Sequence, residues 1–189
     1  MLDVSRHFFT KQEVKRFIDL MAEYKYNVFH WHLSDDQGWR VEIKSLPRLT
    51  DVGAWRAPRV GNWWEREPQS VTDSLTYGGF YTQDDIREVV EYARERFITV
   101  VPEIDVPGHS MALLTAYPEI SCTGGPFHVN VGNTFYTKEE NSLCVGKEKT
   151  FAILDMIFDE LVDLFPSSYI HIGCLLYTSP SPRDSTSSR

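Results

Sequence analysis

A chain of 189 residues can bury a real core, and its 42% hydrophobic and 24% charged residues are the balance of an ordinary globular protein. The formal net charge of -8 argues against a nucleic-acid partner, whose phosphates need a basic face. No apolar run reaches the roughly 18 residues of a membrane span, and no basic stretch followed by an apolar one opens the chain, so no signal peptide is visible.

The first apolar segment, LDVS, reads as a short strand. Residues 11–26 then place Val14, Phe17, Ile18, Met21 and Ala22 at helical spacing, with Thr10 as N-cap and Glu13 completing a capping box. NVFHWHL (27–33) is too short for a helix and stops at SDDQG, which makes it a strand. A long loop is expected over 34–80. It carries Trp39, Trp55, Trp63 and Trp64, whose rings would suit a C–H-rich ligand such as a sugar, although core filling is the plainer use of tryptophan. A second helix opens at Thr82, with Ile86, Val89, Val90 and Ala93 on one face. ITVVPEID (98–105) is the next strand, in which Pro102 fits only where a ladder ends. A short helix follows around 109–117, then a glycine-rich loop to about 148. A third long helix, 149–165, turns Leu154, Ile157, Phe158, Leu161, Val162 and Phe165 inward, and YIHIG (169–173) ends the series as a strand.

Strands alternating with helices build parallel βαβ units. The strand ends are polar, reading SRH, HLSDD, EIDVPGH and HIG, and a (β/α)8 barrel keeps its chemistry at the C-terminal ends of its strands. A doubly wound sheet would prefer a glycine-rich phosphate loop after its first strand, and none is present. The pattern predicts an α/β fold: the N-terminal half of a (β/α)8 TIM barrel, about four βα units, over residues 1–173. Residues 174–189 lose all periodicity and turn rich in Ser, Thr, Pro and Arg. They are expected to be a disordered, non-native tail, similar to translated adapter sequence.

Alternation along a strand sends His30 and His32 to one face and Phe29, Trp31 and Leu33 to the other. Thr99, Val101, Glu103 and Asp105 share a phase, as do His171 and Gly173. With the polar phases turned to a barrel mouth, His32, Glu103, Asp105 and His171 meet, and Asp35, Asp36 and His109 sit on the loops above. Two chemistries could use this set. A metal-dependent barrel hydrolase would be built on His30, His32, Asp105 and His171, because imidazole and carboxylate are common ligands of divalent metals. A glycosidase would use carboxylates of tuned acidity and a cationic or hydrogen-bonding grip on hydroxyls.

A resemblance weighs between them. MLDVSRHFF, YNVFHWHLSDDQGWRVEIKSLPRL, GGFYTQDDIREVVEYARER, VVPEIDVPGHS and YIHIG resemble, in order, the signature blocks of glycoside hydrolase family 20, the β-N-acetylhexosaminidases. The resemblance covers residues 1–173 and implies a (β/α)8 barrel with no cofactor and no metal. It implies an exo-acting enzyme that hydrolyses terminal non-reducing N-acetylhexosamine residues of glycoconjugates or chitooligosaccharides by substrate-assisted, retaining catalysis. In that scheme the substrate's 2-acetamido oxygen attacks C1, an Asp orients the acetamido nitrogen, and the adjacent Glu protonates the leaving oxygen. The Asp–Glu pair is expected just after the HIG block, where this chain has Cys174, Leu175 and Leu176. No catalytic residue is then present, and the chain by itself is expected to be inactive, with an inactive sugar-binding homologue as the alternative.

Residue by residue, the resemblance makes Arg6 the arginine that grips the ring hydroxyls of the terminal sugar. It makes Asp35, Asp105 and His109 supporting residues around the acid, with Pro107 and Gly108 as the turn that aims His109. It also implies a disulfide between Cys122 and Cys144, two buried free thiols being the alternative. An extracellular, periplasmic or lysosomal setting would follow.

Overall fold

The computed structural model describes residues 1–59, 72–132 and 141–173. In chain order the elements are β1 (Leu2–Asp3), α1 (Lys11–Glu23), β2 (Val28–Asp35), β3 (Gly38–Trp39), α2 (Arg48–Asp51), β4 (Trp55–Arg56), β5 (Tyr77–Gly78), α3 (Gln83–Arg94), β6 (Thr99–Ile104), α4 (Met111–Ala116), a 3-10 turn at Pro118–Ile120 and α5 (Glu148–Leu164). The main sheet is parallel in its long members. β1 and β6 flank β2 on its two sides, in registers that set Asp3 beside His32 and Glu103 beside His32. β3 folds back antiparallel on the end of β2, pairing Ser34 with Trp39, and β4 and β5 make a separate two-stranded ribbon.

The helices start where the sequence signals them. Thr10 and Thr82 each close a full capping box, with Glu13 and Asp85 reaching back to the N-cap backbone. Helices α1 and α3 pack side by side, and so do α3 and α5. Their apolar stripes and Phe29, Trp31 and Leu33 of β2 form one core: with Val14, Ile18, Ile86, Val89, Ile157 and Leu161 these are all without solvent contact. Phe29 lies 5.7 Å from Phe17 of α1, and Trp31 lies 6.4 Å from Phe165 at the end of α5, so this phase of β2 faces the helices. Each of these large apolar side chains contributes about 1.5–3 kcal/mol by leaving water. A one-residue slip of β2 would forfeit all of them at once, so its register is firmly set and His30 and His32 are held on the opposite face.

Pro102 sits inside β6, opposite Trp31. Its carbonyl accepts from His171 N at 2.9 Å, and Ile104 N donates to His171 O at 3.0 Å. The N–H that proline lacks would therefore point toward the chain preceding His171, ahead of the point where pairing begins. That is the ladder end a strand proline requires.

Several expectations are corrected. The segment after β2 is not one loop: β3, α2, β4 and β5 interrupt it, elements too short to show a periodicity. Trp39 is core, 1% exposed, with its indole N–H donating to Val41 O, so it offers no ring to a ligand. Trp55 is half-buried in β4, while Trp63 and Trp64 lie outside the described residues. Val162 is 63% exposed, because the buried stripe of α5 runs through Ile153, Ile157, Leu161 and Leu164 and leaves it on the outer flank. The YIHIG segment is not a strand among the described residues: it forms a bridge at His171, beside Glu103, and Ile172 O accepts from Val106 N at 3.2 Å. No helix of the described residues is long and apolar enough to cross a membrane.

Candidate functional site

The C-terminal ends of β1, β2 and β6 deliver Arg6, Asp35, Asp105 and His109 to one place. Asp35, the last residue of β2, is the hub, with a wholly buried side chain. Its Oδ2 forms an ion pair with Arg6 Nη2 at 2.6 Å and accepts from His32 Nε2 at 3.0 Å, and its Oδ1 accepts from His109 Nδ1 at 3.1 Å. Burial alone would push this carboxyl up. The hydrogen bonds from His109 and His32, with the charge of Arg6, outweigh burial and hold it well below the usual carboxylate range. Arg6 is also bonded to Asp3 at 2.9 Å, so two carboxylates orient its guanidinium while 31% of the side chain stays exposed.

His109 follows Pro107 and Gly108, whose carbonyls accept from Ser110 Oγ at 3.2 and 2.9 Å. Its φ of 51° is left-handed, a conformation that a residue with a Cβ reaches at a cost of about 1–2 kcal/mol. The hydrogen bond to Asp35 and its charge offset that cost and, against burial, carry the imidazole up to about 9. His32 reaches about 9 as well: burial opposes, and hydrogen bonding to Asp35 and Glu103 prevails. Both shifts favour the charged form of the ring.

Asp105 has the opposite balance. Burial and the nearby Asp35 charge raise its carboxyl to about 7. Its backbone N–H is held by Ser34 Oγ at 3.1 Å, while its Oδ1 is buried and finds no hydrogen-bond partner among the described residues. Gly173, at φ 87°, lies against this carboxylate so closely that a Cβ there would collide with Oδ1. Gly173 thus lies beside a carboxylate oxygen that has no hydrogen-bond partner among the described residues.

Asp36 serves the same corner from the neighbouring position. It accepts from Met111 N at 3.1 Å and Asn141 Nδ2 at 3.4 Å, anchoring the start of α4 behind His109. Burial and the charge of Asp35 raise it to about 6. Glu103 sits one layer deeper, 2.5 Å from His30 Nε2, 2.8 Å from His32 Nδ1 and 3.2 Å from His171 Nδ1. Burial opposes ionisation, but the three imidazoles carry it down to about 2.

The four residues of the metal-hydrolase alternative do not meet. His30 and His171 group with Glu103, whereas His32 and Asp105 group with Asp35. Reading the sequence left out two residues that hold the site from behind, Arg40 and Arg56, which are buried and bonded to backbone carbonyls. The one available signal was Arg40 standing between the apolar residues Trp39 and Val41. Cys122 and Cys144 are joined by a disulfide. Residues 174–189, with Cys174, Leu175 and Leu176, lie outside the described residues.

Residues 1–174 match the family described as glycosyl hydrolase family 20, catalytic domain. The chain is 49% identical over 173 residues to a β-hexosaminidase of Vibrio furnissii, covering 92% of this chain and 27% of that protein. Among solved structures it resembles the family 20 β-N-acetylhexosaminidase of Streptomyces coelicolor A3(2), with TM-score 0.80 and 43% identity over 97% of this chain and 34% of that one. A mutant Streptomyces plicatus β-hexosaminidase in complex with product (GlcNAc) gives TM-score 0.77 and 45% identity over 92% and 31%. The chain therefore spans between 27% and 34% of the length of these relatives. With that match running unbroken from β1 past Gly173, the chain belongs to glycosyl hydrolase family 20 and is part of its catalytic domain.

Proposed function

We propose that the full-length protein is an exo-acting β-N-acetylhexosaminidase. It removes terminal non-reducing N-acetylhexosamine residues from glycoconjugates or chitooligosaccharides by substrate-assisted, retaining catalysis. The observation that carries this reading is the linked set Arg6–Asp35–His109, with the unpartnered Asp105 oxygen facing Gly173. Arg6, oriented by Asp3 and Asp35 yet still part-exposed, grips the ring hydroxyls through charge-assisted hydrogen bonds. The 2-acetamido oxygen of the substrate attacks C1, and an acid delivers a proton to the leaving oxygen. Water then opens the cyclic intermediate from the first face and returns the proton, giving retention.

Asp105 and His109 set the protonation of that acid. Burial and the Asp35 charge raise the Asp105 carboxyl and the contact with Asp35 raises His109, so Asp105 can share a proton with the acid and His109 can balance its negative charge. The Asp that orients the acetamido nitrogen and the acid belong at the sequence positions held here by Leu175 and Leu176. Leu175 and Leu176 have no proton to give, so the 189-residue chain alone is inactive. Residues 1–173 are a partial (β/α)8 catalytic barrel, a reading supported by the family match over residues 1–174, and residues 174–189 are foreign to it. The disulfide supports an extracellular, periplasmic or lysosomal setting.

The test compares the full-length protein on 4-nitrophenyl N-acetyl-β-glucosaminide and on the matching β-glucoside, which has a hydroxyl in place of the acetamido group. An intramolecular nucleophile has an effective molarity of about 10⁵ M or more, so the glucoside should be slower by orders of magnitude. Similar rates on both would sink the substrate-assisted reading.

A further inference from the structure

Arg40 is wholly buried and Arg56 is 3% exposed. Arg40 donates to five backbone carbonyls: Nε to Val4 O at 3.0 Å, Nη2 to Ser5 O at 2.8 Å and Gln37 O at 3.3 Å, and Nη1 to Ala54 O at 2.7 Å and Gly79 O at 3.0 Å. Arg56 Nη2 donates to Arg6 O at 3.1 Å, with its guanidinium 4.2 Å above the Tyr77 ring. The carbonyls of Val4, Ser5 and Arg6 are consecutive, and each is held by a buried guanidinium. These three residues carry the chain from β1 out to the Arg6 side chain. Tyr77 extends the grip: its hydroxyl accepts from Phe8 N at 3.1 Å.

An uncompensated buried cation is costly to a fold. Burial and the charge of Arg56 lower Arg40 to about 10, which still leaves it charged at neutral pH. A lysine would bring three donors from one point, whereas the five donors of a planar fork can meet carbonyls converging from four loop segments. We propose that Arg40 and Arg56 are positioning residues that clamp the backbone of residues 4–6 and so fix where Arg6 presents its guanidinium to the sugar. The proposal rests on the reading of Arg6 as the sugar-gripping arginine.

The test is a double-mutant cycle in the full-length protein, with kcat and KM measured on 4-nitrophenyl N-acetyl-β-glucosaminide and thermal unfolding followed in parallel. Arg40→Lys keeps the charge and breaks the fork. It should raise KM about tenfold while kcat moves by less than about threefold, the pattern of lost uniform binding. In an Arg6→Ala background the same substitution should leave KM where Arg6→Ala alone puts it, because no guanidinium remains to be positioned. The same KM factor in both backgrounds, or a lowered unfolding midpoint with unchanged KM, overturns the clamp. Should Arg40→Lys fail to fold, Gly38→Ala carries the test, since its Cβ would press on the Arg40 guanidinium and leave the charge in place. It should raise KM severalfold only when Arg6 is present, and an unchanged KM overturns the proposal. A wild-type protein that does not turn over the substrate removes the reading of Arg6 and the clamp with it. A wild-type protein that turns it over without the cycle's pattern removes the clamp alone.

Discussion

His109 Nδ1 donates a 3.1 Å hydrogen bond to Asp35 Oδ1 across 74 positions of sequence, while the other oxygen of that carboxylate takes Arg6 Nη2 at 2.6 Å. One buried anion thus ties together the ends of the first three parallel strands. Asp35→Asn keeps the shape and removes the charge. Taking one partner from a buried ion pair typically costs 3–5 kcal/mol. With Arg6 and His109 each about a third exposed, the expected loss lies at the low end, about 3 kcal/mol, read by denaturant unfolding of the full-length protein. The His109 titration, followed by NMR, should fall from about 9 toward an ordinary histidine value. An unmoved titration would mean that Asp35 is not what holds the proton on His109.

The same pair predicts a pH dependence with a definite sign. His109 and His32 are both raised to about 9 from 6.5. A raised folded-state value means that the folded protein holds protons the unfolded chain has released. The stability these histidines contribute is complete below about pH 6.5 and is lost as pH rises through about 9. The thermal midpoint of the full-length protein should drop between pH 7 and pH 10, and Asp35→Asn should flatten that drop. A flat wild-type profile over this range would contradict the assignment.

Much of this site was legible because strand alternation is a hard rule. Once Phe29, Trp31 and Leu33 are committed to the helices, His32 has to face the other way, and Glu103 and Asp105 follow the same logic. Thr10 and Thr82 declared their helices by side-chain chemistry alone. The rest was hidden for physical reasons. Two-residue strands such as β3, β4 and β5 are too short to carry a period. Arg40 answers to carbonyls from four separate segments, and backbone carbonyls leave no trace in a sequence. Trp39 lay in a stretch read as loop, where a tryptophan suggests a ligand face, yet tertiary packing had placed it in the core. The raised carboxyl of Asp105 depends on burial and on the distance to Asp35, neither of which spacing can supply.

Replacing Arg6 by Ala should weaken ground-state binding of the terminal sugar. Charge-assisted hydrogen bonds of about 1.5–3 kcal/mol correspond to a KM raised roughly tenfold to a hundredfold. Steady-state kinetics on the chromogenic N-acetylglucosaminide check this. A fall in kcat at constant KM would contradict the role given to Arg6.

The Cys122–Cys144 disulfide closes a loop of sequence separation 22. This loop carries Asn141, whose carbonyl accepts from Ser110 N at 3.0 Å and whose amide reaches Asp36, so it braces the His109 turn. Changing both cysteines to Ser should cost about 3 kcal/mol of stability, measured by denaturant unfolding. In the denatured, unreduced wild type neither thiol should react; two reactive thiols would argue against an oxidising compartment.

The most direct test of the account is hydrolysis of 4-nitrophenyl N-acetyl-β-glucosaminide by the full-length protein and, in parallel, by the 189-residue chain. A missing general acid removes about 10²–10⁴-fold of rate. On the proposed reading of the chain as a partial barrel, a net stability of only about 5–15 kcal/mol stands against about 1.5–3 kcal/mol for each large apolar side chain left uncovered. The account predicts turnover by the full-length protein and a blank from the chain. A full-length protein that does not cleave the substrate, or a chain that does, would contradict it.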